Sequence, residues 1–464
     1  MKPILVLQRR RMGDLILSFP LFLWLRRVFP GHPIQVAAEE HFFRPLALLS
    51  PQVSYVPWSG TEALLRQDYR LVLNLSAGDQ ADELAGQARA EEKLGPVLEN
   101  GARRVHGRWQ LYRQSLIQNN RYNRFHWAEL NALDVVPLAE LRGTAFAEPR
   151  RLPPDVVRVG LFLGASDPSK RPGPAFWAEL ARALLDRGLR PALLGGPAER
   201  ALGAEVKRIA AAPVLDLCGR LGLKELAAAG QTFQLLVTPD TGPMHLAAWT
   251  GLRVLNLSMG NVNPWETGPY QPGHLVLRPT ASCAQGCWSC TRGGTRCHAA
   301  FSARRTASLV HSMLSGPDER LERLTPPGLA LSRSDRGPSG LYRLTRLDRR
   351  PPGAHRLLSR FWQAYFGRRF GLWDERTPRS TWAELAATQP RLAEAFTDRL
   401  PDLGRGLRIG LTRGSLENSF WTDAPLMLRP LTGYLLPLLQ NRDFSAPAWA
   451  ESLDWLEDLL ALTR

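Results

Sequence analysis

The sequence has no apolar run long enough to cross a bilayer, which takes about 20 residues. The nearest stretch, residues 15–25, is interrupted by Ser18 and Pro20. Arg9, Arg10 and Arg11 ahead of it imitate a secretory start. However, Asp14 interrupts the approach, and Trp24-Leu25-Arg26-Arg27 stands where small cleavage-site residues belong. The expectation is a cytoplasmic protein, with peripheral contact at the cytoplasmic face of the inner membrane left open. Cysteine is scarce: five in 464 residues excludes a disulfide scaffold. Lysine is scarcer still for so basic a chain. Only Lys2, Lys93, Lys170, Lys207 and Lys224 occur, so arginine carries almost all of the positive charge. What is present describes a globular protein, with 44% apolar and 22% charged residues. The net charge of +16 has two readings, the coding bias of a GC-rich genome or attraction to an anionic partner. The length exceeds what one hydrophobic core usually serves, so two or three domains are expected.

Short apolar runs alternate with helical patterns through residues 1–150. Residues 4–7, 34–37, 53–56 and 71–75 read as buried strands, and 15–29, 42–49 and 82–90 as helices. That alternation predicts a parallel sheet covered on both faces. A Pro- and Arg-rich stretch at 148–154 marks a linker, after which the alternation restarts. Strands are expected at 157–163, 191–194, 214–217, 235–238 and 254–257, with a helix after each of the first four. Residues 151–315 are therefore a second α/β domain. Residues 316–352, rich in Arg, Pro, Gly and Ser, read as a linker. Residues 353–464 read as a helical accessory region whose tryptophans (Trp362, Trp373, Trp382, Trp421, Trp449, Trp455) either pack its core or face a glycan or membrane.

Six stretches can carry chemistry. Arg11-Met12-Gly13-Asp14 follows the first strand, so Asp14 is either a helix cap or a base at the mouth of a cleft. Ser166-Asp167-Pro168-Ser169-Lys170 offers hydroxyls and an ammonium to a phosphate, or is an ordinary solvated loop. Glu199 ends the strand-to-helix turn Leu194-Gly195-Gly196-Pro197-Ala198, where an acid either bonds ribose hydroxyls or offsets a helix dipole. Asp240-Thr241-Gly242-Pro243-Met244-His245 is the sharpest segment. A strand ends just before it, and Pro243 opens a helix whose free amides suit an anion. Cys283, Cys287, Cys290 and Cys297 supply enough thiolates for a structural zinc, at a spacing that is not a standard zinc pattern. Reduced structural thiols and a redox-sensitive pair are the other readings. A basic, aromatic segment spanning residues 103–127, with Arg121 and Arg124 near its end, suits a phosphorylated glycan, RNA or plain solvent.

In this order, the segments resemble glycosyltransferase family 9, which includes the lipopolysaccharide heptosyltransferases. The resemblance covers residues 1–315. It rests on Met12-Gly13-Asp14 with Phe29-Pro30, on residues 240–248, on Asn263-Pro264 with Glu266-Thr267-Gly268-Pro269-Tyr270, and on the cysteine cluster. It implies a GT-B fold, two Rossmann-like doubly wound domains facing a cleft. It also implies inverting, metal-independent transfer from ADP-heptose or a related nucleotide-sugar donor, with no cofactor required. Asp14 then matches the family's general base and Lys170 a lysine on the donor phosphates. Gly13, Ser166, Glu199, Asp240, Thr241, Gly242, Pro243 and His245 match donor-binding positions. Arg11, Arg121 and Arg124 are candidates for an anionic glycolipid or glycan acceptor. The stretch at Ser166 and Asp167 lacks the paired threonines of some heptosyltransferases, and the last 150 or so residues have no counterpart in the short members. The competing expectations are a non-catalytic nucleotide-sugar-binding or assembly protein acting through its extension, and an RNA binder. The segment at Asp240 argues against the latter, so no nucleic-acid partner is expected.

Overall fold

A computed structural model describes residues 1–76, 78–153, 155, 157–284, 296–316, 321–348 and 350–464. The chain divides into two compact units, Met1–Arg66 with His126–Arg349, and Gln67–Phe125 with Arg350–Arg464.

In the first unit, β1 (Ile4–Leu7), β2 (Ile34–Ala38) and β3 (Ser54–Pro57) run parallel, with Ile4 opposite Ile34 and Gln35 opposite Ser54. All four residues of β1 are buried, as expected of a strand covered on both faces. The expected first helix is two pieces, Met12–Ile16 and Phe19–Val28, with Pro20 in the first turn of the second. Proline lacks the N–H that would have continued the earlier helix through this point.

The same unit holds an eight-stranded sheet. Six of its strands are β7 (Arg158–Phe162), β8 (Arg190–Leu194), β9 (Leu215–Asp216), β10 (Leu235–Pro239), β11 (Val254–Leu257) and β12 (Leu275–Pro279). Neighbouring strands among these six are parallel. Helices Pro174–Leu185 and Ala303–Ser315 cover one face, sealing Trp177, Leu180, Leu184 and Leu309 against Val159, Leu161 and Leu257. The stretch expected to be a linker at 316–352 instead carries β13 (Leu329–Arg336) and β14 (Tyr342–Arg346), which extend this sheet antiparallel. Their alternating Arg and Ser reads as linker composition, but the apolar alternates Leu329, Leu331, Tyr342 and Leu344 are buried.

In the second unit, β4 (Asp68–Asn74) pairs parallel with β5 (Arg89–Glu99), and β6 (Ala102–His106) returns antiparallel. The turn between them is Asn100-Gly101, both at positive φ (51° and 77°). Asn-Gly is a favoured two-residue hairpin turn because its twist matches that of the strands. The C-terminal helices of this unit are not an appendage. Asn441, just after helix Arg429–Gln440, accepts from the Val105 amide at 2.6 Å and donates to the Val105 carbonyl at 3.0 Å. A side-chain amide thereby covers backbone groups of an edge strand that would otherwise be open to pairing. Around helix Ala354–Arg369 the tryptophans pack a core. Trp362, Trp449 and Trp455 are almost wholly buried, Trp382 and Trp421 nearly so, and the Trp373 ring lies over Gly367.

Both α/β regions and the helical C-terminal region expected from the sequence are thus present.

Candidate active site

Strands β10, β7 and β8 are adjacent and parallel, so the loops leaving their carboxyl ends stand side by side. Those loops carry residues 240–245, 164–171 and 195–199. After β10, the helix Gly242–Trp249 starts from an extended Thr241, with Pro243 in its first turn. Its first amides are left without helical partners, and its dipole favours an anion there by up to about 2 kcal/mol.

Against this helix start lies the start of helix Met12–Ile16. A side-chain carbon on Gly13 would sit 3.5 Å from the Gly242 Cα and 3.3 Å from the His245 ring, while one on Gly242 would strike the Met12 terminal methyl. Two glycines therefore let two loop-to-helix turns touch backbone to backbone. Asp14 is brought beside the segment 240–245, and its charge and that of Asp240 both act on His245. Asp14 also caps its own helix, since its Oδ2 accepts from the Arg11 amide at 3.4 Å. Arg11 is exposed at this turn.

His245 is only 6% exposed, and its Nδ1 has no hydrogen-bond partner among the described residues. Burial lowers its pKa, and the two nearby carboxylates raise it only in part. Asp240 is held by Thr267, whose hydroxyl donates to Asp240 Oδ2 at 2.5 Å.

After β7, Asp167 accepts from the Ser169 amide at 2.8 Å and caps a single turn ending at Lys170. That amide, together with the Ser169 hydroxyl, holds Asp167 below the usual carboxylate range. Ser166 is exposed and Lys170 half-buried. The loop is braced from behind, because the His298 imidazole lies 2.6 Å from the Ser169 carbonyl. After β8, Glu199 accepts from the Gly196 amide at 2.8 Å and faces Arg171 at 3.9 Å. Gly164 leaves room for this carboxylate, since a side-chain carbon there would lie 2.7 Å from the Glu199 carboxyl carbon and push it aside.

Arg121 and Arg124 belong to the second unit. Their loop is pinned by His355 at the Arg121 carbonyl (2.8 Å) and by Gln363 at the Arg124 carbonyl (3.1 Å), and Arg124 is buried. Cys287 and Cys290 lie outside the described residues, while Cys283 and Cys297 are free thiols. No metal-binding group of three or more ligands occurs among the described residues.

A largely buried polar cluster lies next to Asp240. It comprises His126, Glu129, Tyr270, Arg336 and Tyr342. Glu129 Oε1 accepts from the Tyr342 amide at 2.5 Å and from the Tyr270 hydroxyl at 3.2 Å. Burial pushes the Glu129 carboxyl up to about 7, against the pull of Arg336 and of these bonds. Burial likewise drives His126 down to about 3. Tyr270 belongs to a motif and His126 to the basic, aromatic segment, whereas Glu129, Arg336 and Tyr342 carry no local signal.

Residues 146–289 match the model of glycosyltransferase family 9 (heptosyltransferase). The family resemblance is shown for the segment that carries Ser166, Lys170, Glu199 and residues 240–245. Two solved structures resemble the chain over most of their own length. One is a glycosyl transferase family 9 protein from Veillonella parvula DSM 2008, at 20% identity and TM-score 0.53, covering 68% of this chain and 97% of that one. The other is the E. coli ADP-heptose lps heptosyltransferase II, at 19% identity and TM-score 0.50, covering 67% and 98%. These likenesses show the fold, which is of GT-B type. A search of the curated proteins finds no match.

Proposed function

We propose, from the family 9 match as premise, that the chain is an inverting glycosyltransferase that moves heptose or a similar sugar from ADP-heptose. The acceptor we assign is a lipopolysaccharide core or another anionic cell-envelope glycan. The observation that carries this reading is the contact of Gly13 with Gly242 and His245. It sets a carboxylate, Asp14, beside a helix start suited to a pyrophosphate.

In this reading Asp14 takes the proton of the acceptor hydroxyl as that oxygen attacks the anomeric carbon. The C1–O bond to the diphosphate breaks from the opposite face, which inverts the centre. Negative charge then grows on the departing pyrophosphate. Lys170 and the free amides at Gly242 offset it, and a preorganised donor of this kind contributes about 3–4 kcal/mol in the transition state. A neutral His245 can still donate one hydrogen bond to a phosphate or sugar oxygen. Glu199, held open by Gly164 and oriented by the Gly196 amide, takes the ribose hydroxyls. Asp240 and Thr241 take the sugar hydroxyls. The scheme uses one base and no metal, and any metal held by the cysteine cluster is structural. The protein then works in the cytoplasm, at the inner face of the membrane that displays its acceptor.

The test is a thermal-shift screen with ADP-, GDP- and UDP-sugars, followed by an assay for nucleoside diphosphate release with candidate acceptors. A ligand that binds only the native state raises its stability by RT ln(1 + L/Kd), where L is the free ligand concentration. Stabilisation by ADP-heptose with acceptor-dependent ADP release is expected. Stabilisation without release under any acceptor would favour a nucleotide-sugar-binding or assembly protein instead.

A further inference from the structure

The segment that follows β11 touches Asp240 at one end and the buried polar cluster at several points. Asn263 caps the short helix Pro264–Thr267 by accepting from the Trp265 amide at 3.1 Å. The Tyr342 hydroxyl donates to the Pro264 carbonyl at 3.4 Å and closes over Gly268, where any side chain would collide with it. His126 is fixed in one tautomer. Its Nδ1 accepts from the Ala128 amide at 3.2 Å, so its Nε2 carries the proton and donates to the Gly268 carbonyl at 3.0 Å. Its ring packs against both Tyr270 and Tyr342, with centroids 4.7 and 4.5 Å away, and the two tyrosine rings are themselves 6.1 Å apart. Glu129 then ties Tyr270 to the start of β14. The segment is therefore fastened at Pro264, Gly268 and Tyr270. Toward the candidate site, its Thr267 hydroxyl donates to Asp240.

We infer that this assembly is a positioning clamp for the donor sugar: His126, Glu129 and Tyr342 fix the segment 264–270, and Thr267 transmits that position to Asp240. The inference rests on the proposed role of Asp240 at the sugar. Two features argue for a positional purpose. The bond to Asp240 leaves its other oxygen to a ligand while removing the carboxylate's rotational freedom. The cluster behind it also buries a carboxyl, two phenols and an imidazole, at a desolvation cost that apolar packing would avoid. Supporting groups of this kind hold a site residue within the few tenths of an ångström that oriented binding needs.

The experiment compares calorimetric affinities for ADP and for ADP-heptose in the full chain. A clamp acting through Asp240 affects only the ligand that has the sugar. Thr267→Val is expected to weaken ADP-heptose about tenfold and leave ADP unchanged, and Thr267→Ser, which keeps the hydroxyl, to restore the wild-type value. Glu129→Leu is expected to give the same selective loss at roughly threefold. Equal losses for both ligands, or no loss in Thr267→Val, would overturn the clamp. Should Glu129→Leu not fold, the Thr267 pair decides alone. A wild-type chain that binds neither ligand would refute the proposed function, an outcome separate from failure of the clamp.

Discussion

Around helix Ala354–Arg369, in the second unit, the large buried groups are mostly aromatic rings. Phe361 meets Trp382 at 5.0 Å and Phe396 at 5.8 Å, and Phe366 meets Tyr434 and Trp455 at 5.5 and 5.6 Å. The first unit buries Glu129, His126, Tyr270 and Tyr342 next to its candidate site. The aromatic core costs little in lost hydration and stabilises by buried area and ring-edge contacts. The polar cluster pays desolvation on every member and gains only what its few hydrogen bonds return. One region is therefore built for stability and the other for position, so substitutions in the two should separate stability from rate.

The largest effect belongs to the polar side. Asp14→Asn should lower the single-turnover transfer rate by about a thousandfold, within the range of a lost general base. Donor affinity by calorimetry should hold, and a wild-type rate would remove Asp14 from the chemistry. On the aromatic side, Trp362→Ala should cost about 3–5 kcal/mol in denaturant unfolding, with the turnover of the folded fraction unchanged. A proportionate loss of turnover would blur the contrast.

The next test uses pH. The folded-state pKa of Glu129, about 7, lies above the ordinary 4.5. Its contribution is thus fully present below pH 4.5 and lost as pH rises through 7. Glu129→Gln has no such titration. Its stability relative to wild type should therefore climb between pH 5 and pH 8, by at most about 3 kcal/mol, and a flat difference in melting temperature would show that Glu129 ionises freely. The smallest effect is expected at the sheet edge. Asn441→Ala leaves the Val105 amide and carbonyl unmatched and should cost about 1–3 kcal/mol. Light scattering should also show a greater tendency to associate.

Much of the frame was legible. Residues 4–7 and 191–194 are continuous apolar runs, and 235–238 and 254–257 are broken only by Thr238 and Asn256, a pattern that suits a strand buried on both faces. The strands that escaped are those whose partners lie far away or whose faces are mixed. Arg89–Glu99 begins with four polar or charged positions in its first five; the helix expected at 82–90 takes in its first two residues, and no strand is expected over the rest. Its one local signal is the hairpin turn Asn100-Gly101 at its far end. β13 and β14 carry arginines at partly or fully exposed positions and look like a linker until β13 pairs with β12 and β14 with β13.

At the site, each residue of 240–245 could be placed because a strand end, a proline and a glycine define a helix start locally. The support of Asp240 could not. Thr267 lies 27 positions from Asp240, and Tyr342 lies 213 from Glu129. Nothing in a period of 2 or 3.6 residues reports such a separation.

The sequence by itself determined the parallel strands, the turns that carry Asp14, Lys170, Glu199 and Asp240, and the helical character of the chain's end, because those depend on neighbours within a few residues. Tertiary structure decided the rest. It set Gly13 against Gly242, turned a linker into two strands that reach the site, and packed the tryptophans inward. Each of these depends on which distant surfaces exclude water together.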